Sequence, residues 1–186
     1  NIYLGGDPAL TSNHQFASHM ISIGEDALKY AGFYDYPVTG WDNNNNECVA
    51  IGYQSQELLG QVPWAPLGIA PLTQYGQNVS VGHRSLASNT GNTSAVSGLP
   101  TLGSFNVAIG GRSLEAANGA TANMAIGHNS LLALIDSAFN TVAGFETGLQ
   151  HNDGGTGYPT TIDLSTGASN VMVGKYTNTD NGSNNT

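Results

Sequence analysis

Basic charge is scarce in this 186-residue chain: four Lys and Arg stand against 13 Asp and Glu, a formal net charge of −9 at pH 7. Covering a phosphate backbone takes clustered Lys and Arg, so nucleic acid is excluded as a partner, and an anionic membrane surface with it. No apolar run approaches the roughly 18 residues of a membrane span, so no membrane insertion is expected, and no signal peptide is read at the start. Cysteine is nearly absent too. The single Cys48 excludes an internal disulfide framework. The motifs His-Glu-x-x-His and Gly-x-Ser-x-Gly and the phosphate-binding loop are missing. The polar content is mostly Asn, Gly, Ser and Thr, a composition that leads to disorder unless a regular apolar pattern overrides it.

Such a pattern is present. A phrase close to Asn-x-Ala-Ile-Gly-x-x-Ser-Leu reads Asn78-Val79-Ser80-Val81-Gly82-His83-Arg84-Ser85-Leu86, then Asn106 to Leu114 and Asn123 to Leu131, with Cys48 to Ser55 as a fourth clear copy. Weaker copies surround Gly5, Gly24, Gly144 and Gly174. Successive glycine spacings are 19, 28, 30, 28, 17, 17 and 30. A short fixed period with insertions in some copies is the mark of a solenoid rather than of one globular core. The expected fold is therefore all-β: a parallel β-solenoid or β-roll over residues 1–178, with insertions at about 29–46, 57–77, 87–105 and 148–169 and a polar tail at 179–186. The chain opens on Asn1 rather than Met, as a piece of a longer polypeptide would.

Each repeat is numbered here from its glycine as position 0. Large apolar residues stand at −3 and −1 (Val49 and Ile51, Val107 and Ile109) and small ones at −2 (Ala50, Ser80, Ala108, Ala125). Alternation with period two predicts a short strand ending at the glycine, which tolerates the positive φ of a tight corner. A second strand is expected to begin at the Ser and Leu of +3 and +4. The large residues are assigned to the interior. Stacked copies about 4.8 Å apart would give a rod on the order of 40 Å, with the recurrent Asn as a hydrogen-bonded ladder. At Gly144 the apolar order is shifted, Thr141 at −3 and Val142 at −2, so a distorted repeat is expected there. Cys48 replaces the ladder Asn, which suggests a half-buried structural thiol. About three inward apolar side chains per repeat make a thin core. The small −2 face is then expected to meet other chains in a parallel homotrimer, intertwined or side by side; the alternative is a monomer whose −2 residues face water.

The phrase resembles the Asn-x-Ala-Ile-Gly-x-x-Ala/Ser-Leu arrays of bacteriophage tail fibres and, less closely, the heads of trimeric autotransporter adhesins. The resemblance runs from Asn1 to about Asn178 and is firmest at Gly52, Gly82, Gly110 and Gly127. It implies a trimeric, extracellular virion component: the distal, receptor-binding part of a tail fibre that adheres to a host cell. In that family an endosialidase-type intramolecular chaperone often follows and cuts itself off. The end of this chain is thus expected either as a processing end or as a segment boundary.

Recognition is expected in the insertions, because loops on a rigid scaffold carry binding residues. The first holds Tyr34, Asp35, Tyr36, Trp41 and Asp42; the second Trp64 and Tyr75; the fourth His151, Asp153 and Tyr158. Flat aromatic rings take the C–H face of a sugar, and carboxylates and amides take its hydroxyls. These residues are the glycan-binding candidates, and a bacterial surface polysaccharide, or an outer-membrane protein, is the expected partner. The alternative is that the aromatics pack the loops onto the solenoid or fill the trimer interface. A shaft segment that binds nothing is a second reading, and a polysaccharide-degrading tailspike a third. Asp35 with Asp42, or Asp153 with Asp163, would be its carboxylate pair, but nothing indicates that they face each other, so no enzyme activity is expected. No cofactor or metal is expected either. His83 and His128 occupy +1, where other copies carry Gly, Glu, Tyr, Phe or Lys, as at an exposed position.

Overall fold

A computed structural model describes residues 2–5, 17–29, 45–57, 76–90, 103–118, 120–135, 137–148 and 169–175. Among them there is no helix. In chain order the strands are β1 (Ile2–Leu4), β2 (Ala17–Ser18), β3 (Ile21–Ile23), β4 (Asn45–Asn46), β5 (Val49–Ile51), β6 (Val79–Val81), β7 (Ser88–Thr90), β8 (Val107–Ile109), β9 (Ala116–Asn118), β10 (Met124–Ile126), β11 (Ala133–Ile135), β12 (Thr141–Ala143) and β13 (Val171–Val173).

The fold is all-β and parallel. Eight strands form one sheet in the order β1-β3-β5-β6-β8-β10-β12-β13, so every glycine-terminated strand pairs with its copies in the neighbouring repeats. The register follows the repeat: Ala50 faces Ser80, Ser80 faces Ala108, Ala108 faces Ala125 and Ala125 faces Val142. The strands β7, β9 and β11 form a second parallel sheet, and β2 pairs with β4.

The anchor glycines turn the chain out of the large sheet at φ near +130°, as at Gly52 (φ 129°). Space excludes a side chain as firmly as φ does: a Cβ on Gly24 would stand 2.6 Å from the carbonyl oxygen of Gly52. The bend continues past the glycine, because the residues at +2 and +4 are left-handed as well, among them Arg84 (53°), Leu86 (52°), Arg112 (56°) and Leu114 (49°). The corner is hydrogen-bonded repeat to repeat: Arg112 N donates to His83 O at 2.8 Å and Leu114 N to Ser130 O at 3.0 Å. This corrects the expected start of the second strand. Ser and Leu at +3 and +4 are still turning, and β7, β9 and β11 begin at +6. The strands β4 and β7 also lie within stretches expected as insertions.

The assignment of the two strand faces is reversed. Position −2 is the interior one: Ser22, Ala50, Ser80, Ala108, Ala125 and Val142 are completely buried, and Met172 nearly so. Positions −3 and −1 are half-buried or exposed, reaching 71 % at Val173. The interior explains this. The buried leucines of +4, Leu86, Leu114 and Leu131, pack in one cluster with Ala108, Ala125 and Val142. A large side chain at +4 leaves room opposite it for a small one, as close packing requires. With Val142 pointing inward, the repeat at Gly144 needs no distortion. Its strand β12 pairs in the common register with β10 and β13.

The Asn ladder forms as expected. Asn78, Asn106, Asn123, Asn140 and Asn170 are buried at −4, and the Oδ1 of each of the first four accepts the backbone N–H of the next at 2.9–3.1 Å. Cys48 occupies the same column and is fully rather than half buried. Removal from water pushes its thiol up to about 11.

The apolar interior falls into two clusters. One contains Met20, Ala27, Leu28, Cys48 and Ala50, and the other runs from Leu86 to Met172. Between them Gln56 takes the leucine position and Ser80 the alanine position. Gln56 Nε2 donates to Val49 O and Ser80 Oγ, both at 2.9 Å, and Ser55 Oγ bonds Ser85 Oγ at 3.2 Å.

Candidate functional site

The glycan candidates read from the sequence, Tyr34, Asp35, Tyr36, Trp41, Asp42, Trp64, Tyr75, His151, Asp153 and Tyr158, all lie outside the described residues. So does Asp163. The described repeats carry two other surfaces with chemical content.

The first is the outer face of the eight-stranded sheet. Because −3 and −1 point away from the interior, this face exposes Ile2 and Leu4 on β1, Ile109 on β8, Met124 and Ile126 on β10, and Val171 and Val173 on β13, with half-buried Ile and Val at the same positions of β3, β5 and β6. Phe105 and Phe139, at the corner preceding their strands, are 57 % and 66 % exposed. Scattered exposed apolar residues are ordinary; these share one face of a regular sheet.

The second is a groove on the far side of the glycine corner, beside the three-stranded sheet. Sequence position creates it. Arg84 and Arg112 both stand at +2, and the pairing of β6 with β8 sets them in adjacent repeats. Glu115, in the same repeat as Arg112, lies between them. Its Oε1 accepts from Arg84 Nη2 at 2.7 Å and its Oε2 from Arg112 Nε at 2.6 Å. The carboxylate is buried (residue 8 % exposed), a position that is tolerable only when the charge is paired. The arginine side chains remain 46 % exposed. Each uses one nitrogen on Glu115, and the rest of each guanidinium fork is left for other acceptors.

These groups line a cavity of about 320 Å³ whose wall is completed by Glu57 and whose apolar surface comes from Ala87, Ala116 and Leu132. Glu57, Ala87, Glu115 and Leu132 all stand at +5 of successive repeats. The short Ala87 side chain between two glutamates opens the hollow. That volume is at the lower end of the range for small-ligand sites. The chain has four basic residues, and both of its arginines meet here.

Next to the arginines, the +1 residues form a broken column of rings. Tyr53 stacks on His83 with centroids 5.5 Å apart and planes 6° from parallel, and His128 stacks on Phe145 at 5.5 Å and 14°. Lys175 Nζ lies 5.6 Å from the Phe145 centroid, within cation–π range. Gly111 separates the two stacks, and a Cβ there would meet His128 Cδ2 at 3.1 Å. Both histidines are exposed and engaged with rings.

The sequence carried a signal for the groove in its arginines, which occupy one repeat position 28 residues apart with Glu115 three residues after the second. What it lacked was the register and the point at which the chain leaves the turn, which together bring +2 and +5 side chains of different repeats into contact. Comparisons with protein-family models, with curated proteins and with solved structures return no match.

Proposed function

We propose that the repeats wind as one parallel β-solenoid, that three copies associate through the outer face of the eight-stranded sheet, and that the trimer is a receptor-binding adhesin at the distal end of a phage tail fibre. The observation that carries this reading is the apolar −3 and −1 face of that sheet, exposed on β1, β8, β10 and β13 and half-buried on β3, β5 and β6. Fully burying a wholly exposed apolar side chain of that size is worth about 1.5–3 kcal/mol, of which these side chains, 38–71 % exposed, would gain a part each; a parallel stack presents the same apolar row to each neighbour around a three-fold axis. The interface is therefore the opposite face from the one expected for the small −2 residues, which are used up inside each chain. The resemblance of the phrase Asn106 to Leu114 to tail-fibre arrays supports the fibre reading. The ligand proposed is a bacterial surface glycan, held by insertion aromatics such as Trp41 and Trp64.

A second reading, a shaft segment that binds nothing, is favoured by one observation: eight strands pair without a break in register. A glycan array and binding to host envelope fractions separate the two. The adhesin reading expects binding without release of reducing ends, and loss of binding when Trp41→Ala and Trp64→Ala are combined. Binding to no host fraction favours the shaft. Binding unchanged by the double substitution overturns the role of the tryptophans.

A further inference from the structure

We infer that the groove between Arg84, Arg112, Glu115 and Glu57 is a subsite for a neutral hexose ring. The inference rests on the glycan-binding reading and assigns it a site in the repeat body, apart from the insertions.

Charge decides the ligand class. Two guanidinium groups and two carboxylates line the groove, so their formal charges cancel, in a chain whose net charge is −9. An anionic sugar would find no net positive field there and would meet long-range repulsion. A neutral sugar needs donors and acceptors together. The exposed guanidinium nitrogens of Arg84 and Arg112 can donate to ring hydroxyls, and the carboxylate of Glu57 can accept from them.

Geometry supports the same class. Glu115 holds both arginines, one on each carboxylate oxygen, so the guanidinium groups are restrained before a ligand arrives and less side-chain freedom is lost on binding. Ala87, Ala116 and Leu132 give the hollow an apolar wall suited to the C–H face of a pyranose. The cavity, about 320 Å³, is of a size for one or two rings rather than a long chain. The groove also borders the three-stranded sheet through Ser88 and Ala116, whereas the proposed trimer face belongs to the eight-stranded sheet. Association of copies and occupation of the groove are compatible.

Saturation-transfer NMR on the assembled protein tests this, with the methyl α-glycosides of glucose, galactose and mannose as neutral probes and methyl α-glucuronoside as the acidic one. At least one neutral glycoside is expected to receive saturation and the glucuronoside less. Ala116→Trp fills the groove from an exposed strand position and should abolish the signal with melting temperature and mass unchanged. Glu57→Ala should weaken the Kd about tenfold, and it carries the test if the tryptophan variant does not fold. The inference is overturned if no neutral glycoside responds, if the response survives both substitutions, or if the glucuronoside binds more tightly. Host-cell binding is scored separately: binding that persists in Ala116→Trp while the glycoside signal is absent from the parent sinks the groove and leaves the adhesin reading standing.

Discussion

Asn106 hangs from Asn78: its backbone N–H and its side-chain amide both donate to Asn78 Oδ1, at 2.9 and 3.3 Å. Its own Oδ1 accepts from Asn123 in the same way, and its Nδ2 also reaches Ala120 O at 2.9 Å. One buried side chain therefore satisfies backbone groups in its own repeat and the next. Asn106→Ala would leave the Asn123 N–H and the Ala120 carbonyl without partners in the interior. Each orphaned group costs about 1–3 kcal/mol. The expected loss is about 2–4 kcal/mol in urea unfolding, with oligomeric mass retained below the transition.

Gln56 is the counter-example, a polar side chain where Leu28, Leu86, Leu114 and Leu131 stand in other repeats. Its Oε1 is buried with no hydrogen-bond partner, and its backbone shares the left-handed φ of those leucines (49°). Gln56→Leu removes an unsatisfied carbonyl and joins the two apolar clusters, while Ser80 Oγ keeps Ser55 Oγ as a partner. Stabilisation of about 1–2 kcal/mol is expected, read as a higher melting temperature.

Cys48 makes stability depend on alkaline pH. The buried thiol is raised from 9.0 to about 11, so between those values the unfolded chain releases a proton that the folded chain keeps. Stability is then fully present below about pH 9, falls by up to about 1.4 kcal/mol per pH unit, and levels off above the folded value. Denaturation followed from pH 8 to 11 should show this slope in the parent and lose it in Cys48→Ala. At pH 8 the native thiol should resist a thiol reagent and react once urea unfolds the chain.

Much of this structure was legible in the sequence for a plain reason. Identical residues at identical offsets must occupy equivalent places in a stack, so Asn at −4 gave its ladder and glycine at 0 gave its corner. The two faces of the strand were legible only as two faces. Period-two alternation separates −2 from −3 and −1 but is silent on which side is inside. That is decided by the leucine at +4, whose left-handed turn carries its side chain into the interior opposite Ala108 and Ala125. The Arg84–Glu115–Arg112 contact was harder to read, since it joins +2 and +5 positions across repeats 28 residues apart.

The most direct test of the central claim is sedimentation equilibrium of the parent chain beside Ile126→Asp. Ile126 is 39 % exposed on β10, in register with Ile109 and Ala143, so a charge there should spare the repeat interior and break the interface. The expected result is a species of three 19.2 kDa chains for the parent at micromolar concentration, and a folded, lighter species for the variant. A parent protein that sediments as a single 19.2 kDa chain at that concentration contradicts the trimer and the role given to the exposed sheet face.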